Sequence, residues 1–130
     1  MKKLSILTIL FFISSCASIF NSGNQTMLAH PTNPEDEGVV VNVNTSSGTY
    51  KAKLPATIIS APSTFSDVTV QVADKCYEKT EVVINKSVTP SYWVNIIIWP
   101  GLIIDALDGY MWKFDSQTIV PTSRIDGCKK

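Results

Sequence analysis

The stretch GVVVNVNTSSGTYKAK, residues 38–53, decides the fold class. Val39, Val41 and Val43 alternate with Val40, Asn42 and Asn44, a period of two that sends one set of side chains to a core and the other toward water. Thr45-Ser46-Ser47-Gly48 is a turn, with glycine where the backbone can take a positive φ. Thr49 to Lys53 reads as a second short strand, so the stretch forms a hairpin. Leu54-Pro55-Ala56-Thr57 redirects the chain, and Ile58 and Ile59 return to the core. After a break at Ala61-Pro62-Ser63, Val68, Val70 and Val72 alternate with Asp67, Thr69, Gln71 and Ala73 in another strand. Asp74-Lys75-Cys76 is a turn, and Thr80 to Asn85 is the next strand, with Val82 and Ile84 on one face and Glu81 and Val83 on the other. Turn signals recur at about ten-residue intervals, which predicts a mainly β fold, a small antiparallel β-sandwich.

Upstream of the hairpin the character is different. Residues 16–37 read as a flexible tether: Asn21, Ser22, Gly23, Asn24 and Gln25 are polar, Pro31 and Pro34 break regular structure, and Glu35-Asp36-Glu37 is a solvated acidic run. Thr26, Met27, Leu28 and Ala29 could add a short edge strand. Further back, Lys2 and Lys3 precede an apolar run from Leu4 to Ile13, too short to span a bilayer as a helix. Ile13-Ser14-Ser15-Cys16 follows and resembles the lipobox of bacterial lipoprotein signal peptides. A branched aliphatic residue fills a peptidase pocket, small residues precede the cut, and the thiol accepts diacylglycerol. The resemblance implies that residues 1–15 are a signal peptide and that Cys16 is the acylated first residue of a protein held in the cell envelope. Ala17 in place of aspartate resembles the outer-membrane sorting pattern. Two or three acyl chains make such anchoring stable, at about 0.8 kcal/mol per buried CH₂.

Loss of Lys2 and Lys3 leaves nine basic residues against eleven acidic ones, a formal charge of −2. No basic patch stands out, which argues against a nucleic-acid partner. Cys76 and Cys128 then have one possible pairing, and an oxidising compartment predicts a disulfide between them, the alternative being two free thiols.

The last third, residues 92–114, is apolar and aromatic. Tyr92, Trp93, Val94, Ile96, Ile97, Ile98 and Trp99 run almost unbroken to Pro100, which suits the first turn of a helix. Ile103, Ala106, Leu107, Tyr110 and Met111 then share one helical face, with Asp105, Asp108 and Gly109 opposite. Trp93, Trp99 and Trp112 admit three readings: contact with the bilayer, a patch for an envelope protein partner, or packing across the sheet to complete the core. Pro100, Asp105 and Asp108 argue against a transmembrane helix. Gln117 to Val120 could be a last strand, before a polar tail at 121–130.

Gly38 to Val88 resembles the small β-domain called PEGA, found in bacterial envelope proteins. Lys53-Leu54-Pro55-Ala56 stands at the family's Thr-Pro-type corner, and Asp74-Lys75-Cys76-Tyr77-Glu78 at its Gly-Tyr-Glu turn, with Cys76 in place of glycine. Thr45-Ser46-Ser47-Gly48 replaces the namesake motif. The segment Trp93, Asn95, Gly101, Asp105, Gly109, Trp112 and Lys113 looks like the tail of uncharacterised small lipoproteins, although Trp99-Pro100 departs from their glycine-rich run. The resemblance covers residues 38–120 and implies a β-sandwich in the envelope, with no catalytic residue carried over.

No enzyme constellation assembles. His30, the only histidine, falls in the expected tether, and no phosphate loop, zinc-helix motif or calcium loop is present in the sequence. No metal and no cofactor other than the lipid on Cys16 is expected. The expectation is therefore a non-enzymatic structural or interaction module anchored in the membrane. The alternative is a small-ligand or cation-binding module, or an enzyme, built on the Asp105/Asp108 pair, whose i,i+3 spacing puts both carboxylates on one helical face.

Overall fold

The computed structural model describes residues 23–94, 103 and 106–128. The alternating valines form β2 (Val40–Thr45), paired antiparallel with β3 (Gly48–Lys53) so that Thr45 faces Gly48. Gly48 takes φ +137°, in the region that favours glycine and lets a two-residue loop close the hairpin. Val39, Val41 and Val43 are fully buried, as the period of two requires. β5 (Thr69–Val72) pairs antiparallel with β2, and β6 (Glu81–Val83) with β5, giving a four-stranded sheet of order β3-β2-β5-β6.

The second sheet holds the main departure from expectation. Gln25–Pro31 is strand β1, flanked by β4 (Ala56–Ser60) in antiparallel and by β9 (Gln117–Val120) in parallel register. Among the described residues strand structure therefore starts at Gln25, inside the expected tether, and β1 is a central strand rather than an edge. Its inward residues, Met27 and Ala29, are buried against Ile58 of β4 and Val120 of β9. They meet Val41, Val43, Val70 and Val72 of the first sheet, which makes the sandwich core, with Leu54, Tyr77, Ile84 and Phe114 closing it. Ile59 points outward, because β4 buries Ala56, Ile58 and Ser60 on alternate positions.

β7 (Lys86–Val88) and β8 (Trp112–Phe114) form a separate antiparallel ribbon. Between them the chain makes a long excursion whose two feet are tied by a Thr89 N–H to Met111 O bond of 2.8 Å. Helix α1 (Pro90–Val94) opens the excursion, and residues 103 and 106–108 are helical near its end. Part of the helix expected after Pro100, including Asp105, lies outside the described residues, as does Trp99 before it. In the described part the expected apolar face is split: Ile103 and Leu107 are exposed, and Ala106, Tyr110 and Met111 are half-buried. Gly109, expected on the opposite face, is buried. Among the described residues no helix is long and apolar enough to cross a membrane.

The polar tail is tied down by the expected disulfide and by further contacts. Thr122 is buried, Arg124 bridges Tyr77, and Cys128 is disulfide-bonded to Cys76 with the Cα atoms 5.4 Å apart. Residues 121–128 are thus sewn to the body of the domain.

Candidate functional site

Strand registers divide the domain into two ends with different chemistry. At one end β1 and β9 stop side by side at Pro31 and Val120. There the chain enters a 3-10 turn, Pro34–Asp36, and Asp36 becomes the hub of a polar cluster. Its Oδ1 accepts the Tyr77 hydroxyl at 2.8 Å, and its Oδ2 accepts the Thr122 hydroxyl at 2.6 Å and the Asn33 amide at 3.4 Å. Asp36 is 8 % exposed, so the middle residue of the expected solvated run is buried. The bond from Thr122, then that from Tyr77, holds its carboxyl below the ordinary 3.8, against the opposing effect of burial. The Tyr77 hydroxyl is pushed above its ordinary 10.0, first by its bond to Asp36 and then by burial. The Cys76–Cys128 bridge lies beside this cluster, and 2.9 Å backbone bonds join Glu78 to Ser123 and Ile125 to Cys76. Every polar group of the hub has a partner within the fold, so its chemistry is that of a fastening.

The opposite end is where β1 begins. Gln25 stands opposite Ser60 of β4. Its side-chain amide acts as one more backbone unit: Nε2 donates to Trp112 O at 2.9 Å, and Oε1 accepts from Phe114 N at 2.8 Å. That clasp ties the first residue of β1 to β8. Ser60 leads into the 61–65 loop, which is fastened to the end of the excursion. Trp112 Nε1 donates to Thr64 Oγ1 at 3.3 Å, and the Thr64 hydroxyl in turn donates to the carbonyl of Ala106. Lys86 Nζ pairs with Asp67 at 2.7 Å, donates to Ser63 O at 3.1 Å, and sits 5.2 Å from the Trp112 ring centre.

Gly109 explains how the end of the excursion packs on the 61–65 loop with Leu107 left exposed. It takes φ +81°, and a Cβ there would come within 2.8 Å of Ser63 Cα and 2.9 Å of Pro62 O. The segment can approach the loop only through a residue without a side chain, and Leu107 is carried to the outside. Gly109→Ala is expected to cost about 2 kcal/mol, from the left-handed backbone and the clash together. Thermal unfolding would show it, and an unchanged midpoint would contradict this packing.

Phe65, at the tip of the 61–65 loop, is 83 % exposed, Leu107 is 63 % exposed and Trp93 is 60 % exposed. Trp93 meets Tyr92 edge to face, with ring centres 5.9 Å apart. The three tryptophans singled out in the sequence therefore part company. Trp93 is open, Trp112 is half-buried and hydrogen-bonded into the fold, and Trp99 lies outside the described residues. Asp108 is exposed, while Asp105 and Cys16 also lie outside. His30 is on β1 beside Ile119 of β9. Among the described residues no group of His, Cys, Asp or Glu could hold a metal ion.

Asp36, Gln25 and Phe65 were not signalled as site residues by any local pattern. Asp36 accepts from hydroxyls 41 and 86 positions away, besides the nearby Asn33 amide, and Gln25 finds its partners 87 and 89 positions away. No known family model, characterised protein or solved structure matches the chain.

Proposed function

We propose that this chain is an envelope lipoprotein, anchored by acyl chains on Cys16, whose β-domain serves as a non-enzymatic structural or protein-interaction module. The observation that carries the reading is Ile13-Ser14-Ser15-Cys16 placed directly behind Lys2, Lys3 and a short apolar run. The Cys76–Cys128 bridge supports it, since such bonds persist in oxidising compartments outside the cytoplasm. The PEGA-like reading of residues 38–88 belongs to the same proposal, supported by the hairpin and by the corner at Leu54-Pro55-Ala56. The outer membrane is the location that Ala17 favours, and an envelope protein is the partner class that such a module would serve.

Labelled palmitate and membrane fractionation test this reading in a bacterial host. The wild-type chain is expected to carry label and to sediment with membranes. Cys16→Ser is expected to lose the label and to retain residues 1–15. Label that persists on Cys16→Ser, or its absence from the wild type, would overturn the assignment.

A further inference from the structure

From the placement of Phe65, Trp93 and Leu107 we infer that the end of the domain where β1 begins is a membrane-contacting face, turned onto the lipid surface that carries the anchor. This inference rests on the lipid attachment proposed above and adds an orientation to it.

The length of chain between anchor and domain is the first argument. Nine residues after Cys16 the chain is already in β1 at Gln25, a reach of at most about 30 Å even when fully extended. The polypeptide enters the domain at the Gln25 end, so that end is the part held nearest the bilayer. The Asp36 end and the disulfide lie at the other end of β1 and point away.

The chemistry of that end is the second argument. Phe65 stands in a loop that hydrogen bonds tie to its neighbours, from Thr64 to Ala106 and from Lys86 to Ser63. Leu107 is held outward by the close approach of Gly109 to Pro62 and Ser63. Trp93 stands on the excursion that leaves from the same end, where Thr89 and Met111 are joined. An aromatic loop tip, a tryptophan and a leucine projecting beside the anchor's point of entry match the interfacial preference of such side chains. Of the charged side chains at this end, Lys86 is engaged by Asp67 and the Trp112 ring, while Asp108 beside Leu107 and Lys113 beside Trp112 are exposed at the edge of the apolar side chains.

The lipidated, mature chain reconstituted into phosphatidylcholine vesicles provides the test. Vesicles containing lipids brominated along the acyl chain quench tryptophans that reach the hydrocarbon boundary. Trp93→Phe is expected to remove a bromolipid-quenched component of the emission, and Phe65→Trp is expected to add one. If both variants leave bromolipid quenching unaltered while the protein stays vesicle-bound, the face looks at water or at a protein partner and the inference falls, with the anchor intact. Purified protein that lacks acyl groups overturns the anchor and the orientation together.

Discussion

Cys128→Ala is expected to destabilise the domain by about 4 kcal/mol, the chain-entropy cost of opening a loop of this length. Cys76 and Cys128 lie 52 positions apart, so the bridge restrains nearly half of the chain in the unfolded state. Urea unfolding of the mature protein would register the loss as a midpoint lowered by about 2 M, taking a small-domain slope of about 2 kcal/mol per molar. Domains of this size have a total stability of about 5–15 kcal/mol, so the change takes a large share of it. Reduction of the wild type should reproduce the shift, and reduction of Cys128→Ala should add nothing. A variant that unfolds at the wild-type midpoint would show that the bridge restrains little.

Asp36→Ala is expected to cost about 2–4 kcal/mol, because it strips the acceptor from two buried hydroxyls, those of Tyr77 and Thr122. Its neighbours Glu35 and Glu37 are exposed, and their alanine variants should stay within about 0.5 kcal/mol of the wild type. The contrast separates a buried hub from a solvated acidic run. The sign of the pH dependence follows from the native hydrogen bonds. Asp36 ionises more readily folded than unfolded, so its contribution is complete above its ordinary 3.8 and is lost as pH falls below that value. Tyr77 holds its proton more tightly folded than unfolded, so its contribution is complete below 10.0 and is lost as pH rises beyond it. Asp36→Ala should flatten the acid limb selectively. Equal losses at all three acidic positions would contradict the hub. The Asp36 and Cys128 changes should also combine to less than their sum, since both release residues 121–128.

These expectations divide along the line between local and non-local pattern. The hairpin at 38–53 was legible because its strands are neighbours in sequence and its alternation is set by one buried face. Val68, Val70 and Val72 were legible for the same reason, and Cys76 and Cys128 because only one pairing was open to them. Strand β1 was obscured because Met27 and Ala29 are its only inward residues with full burial, in a polar neighbourhood, and its partners β4 and β9 are distant in sequence. Asp36 was read as solvated because an acidic triplet normally is, and only the turn at Pro34–Asp36 aims its middle member inward. The apolar stripe of 103–111 is split, with Ile103 and Leu107 exposed and Ala106, Tyr110 and Met111 half-buried, and the sequence leaves its covering open. Helical periodicity identifies a stripe but not what covers it, and the decisive feature was a glycine seated on the backbone of Pro62 and Ser63.

The orientation proposed for the Gln25 end gives the two halves of the structure separate tasks. The Asp36 cluster and the disulfide fasten the distal end, while the loop at 61–65 and the excursion from β7 to β8 shape the proximal one. The orientation, unlike the fastening, presupposes a chain that starts at Cys16 and is bound to lipid. Intact mass spectrometry of the mature protein purified from membranes addresses that most directly. The expected spectrum is the mass of residues 16–130 plus a diacylglyceryl group, with or without a third acyl chain, less two hydrogens for the Cys76–Cys128 bridge. A polypeptide beginning at any other residue, or an unmodified Cys16, would contradict the account.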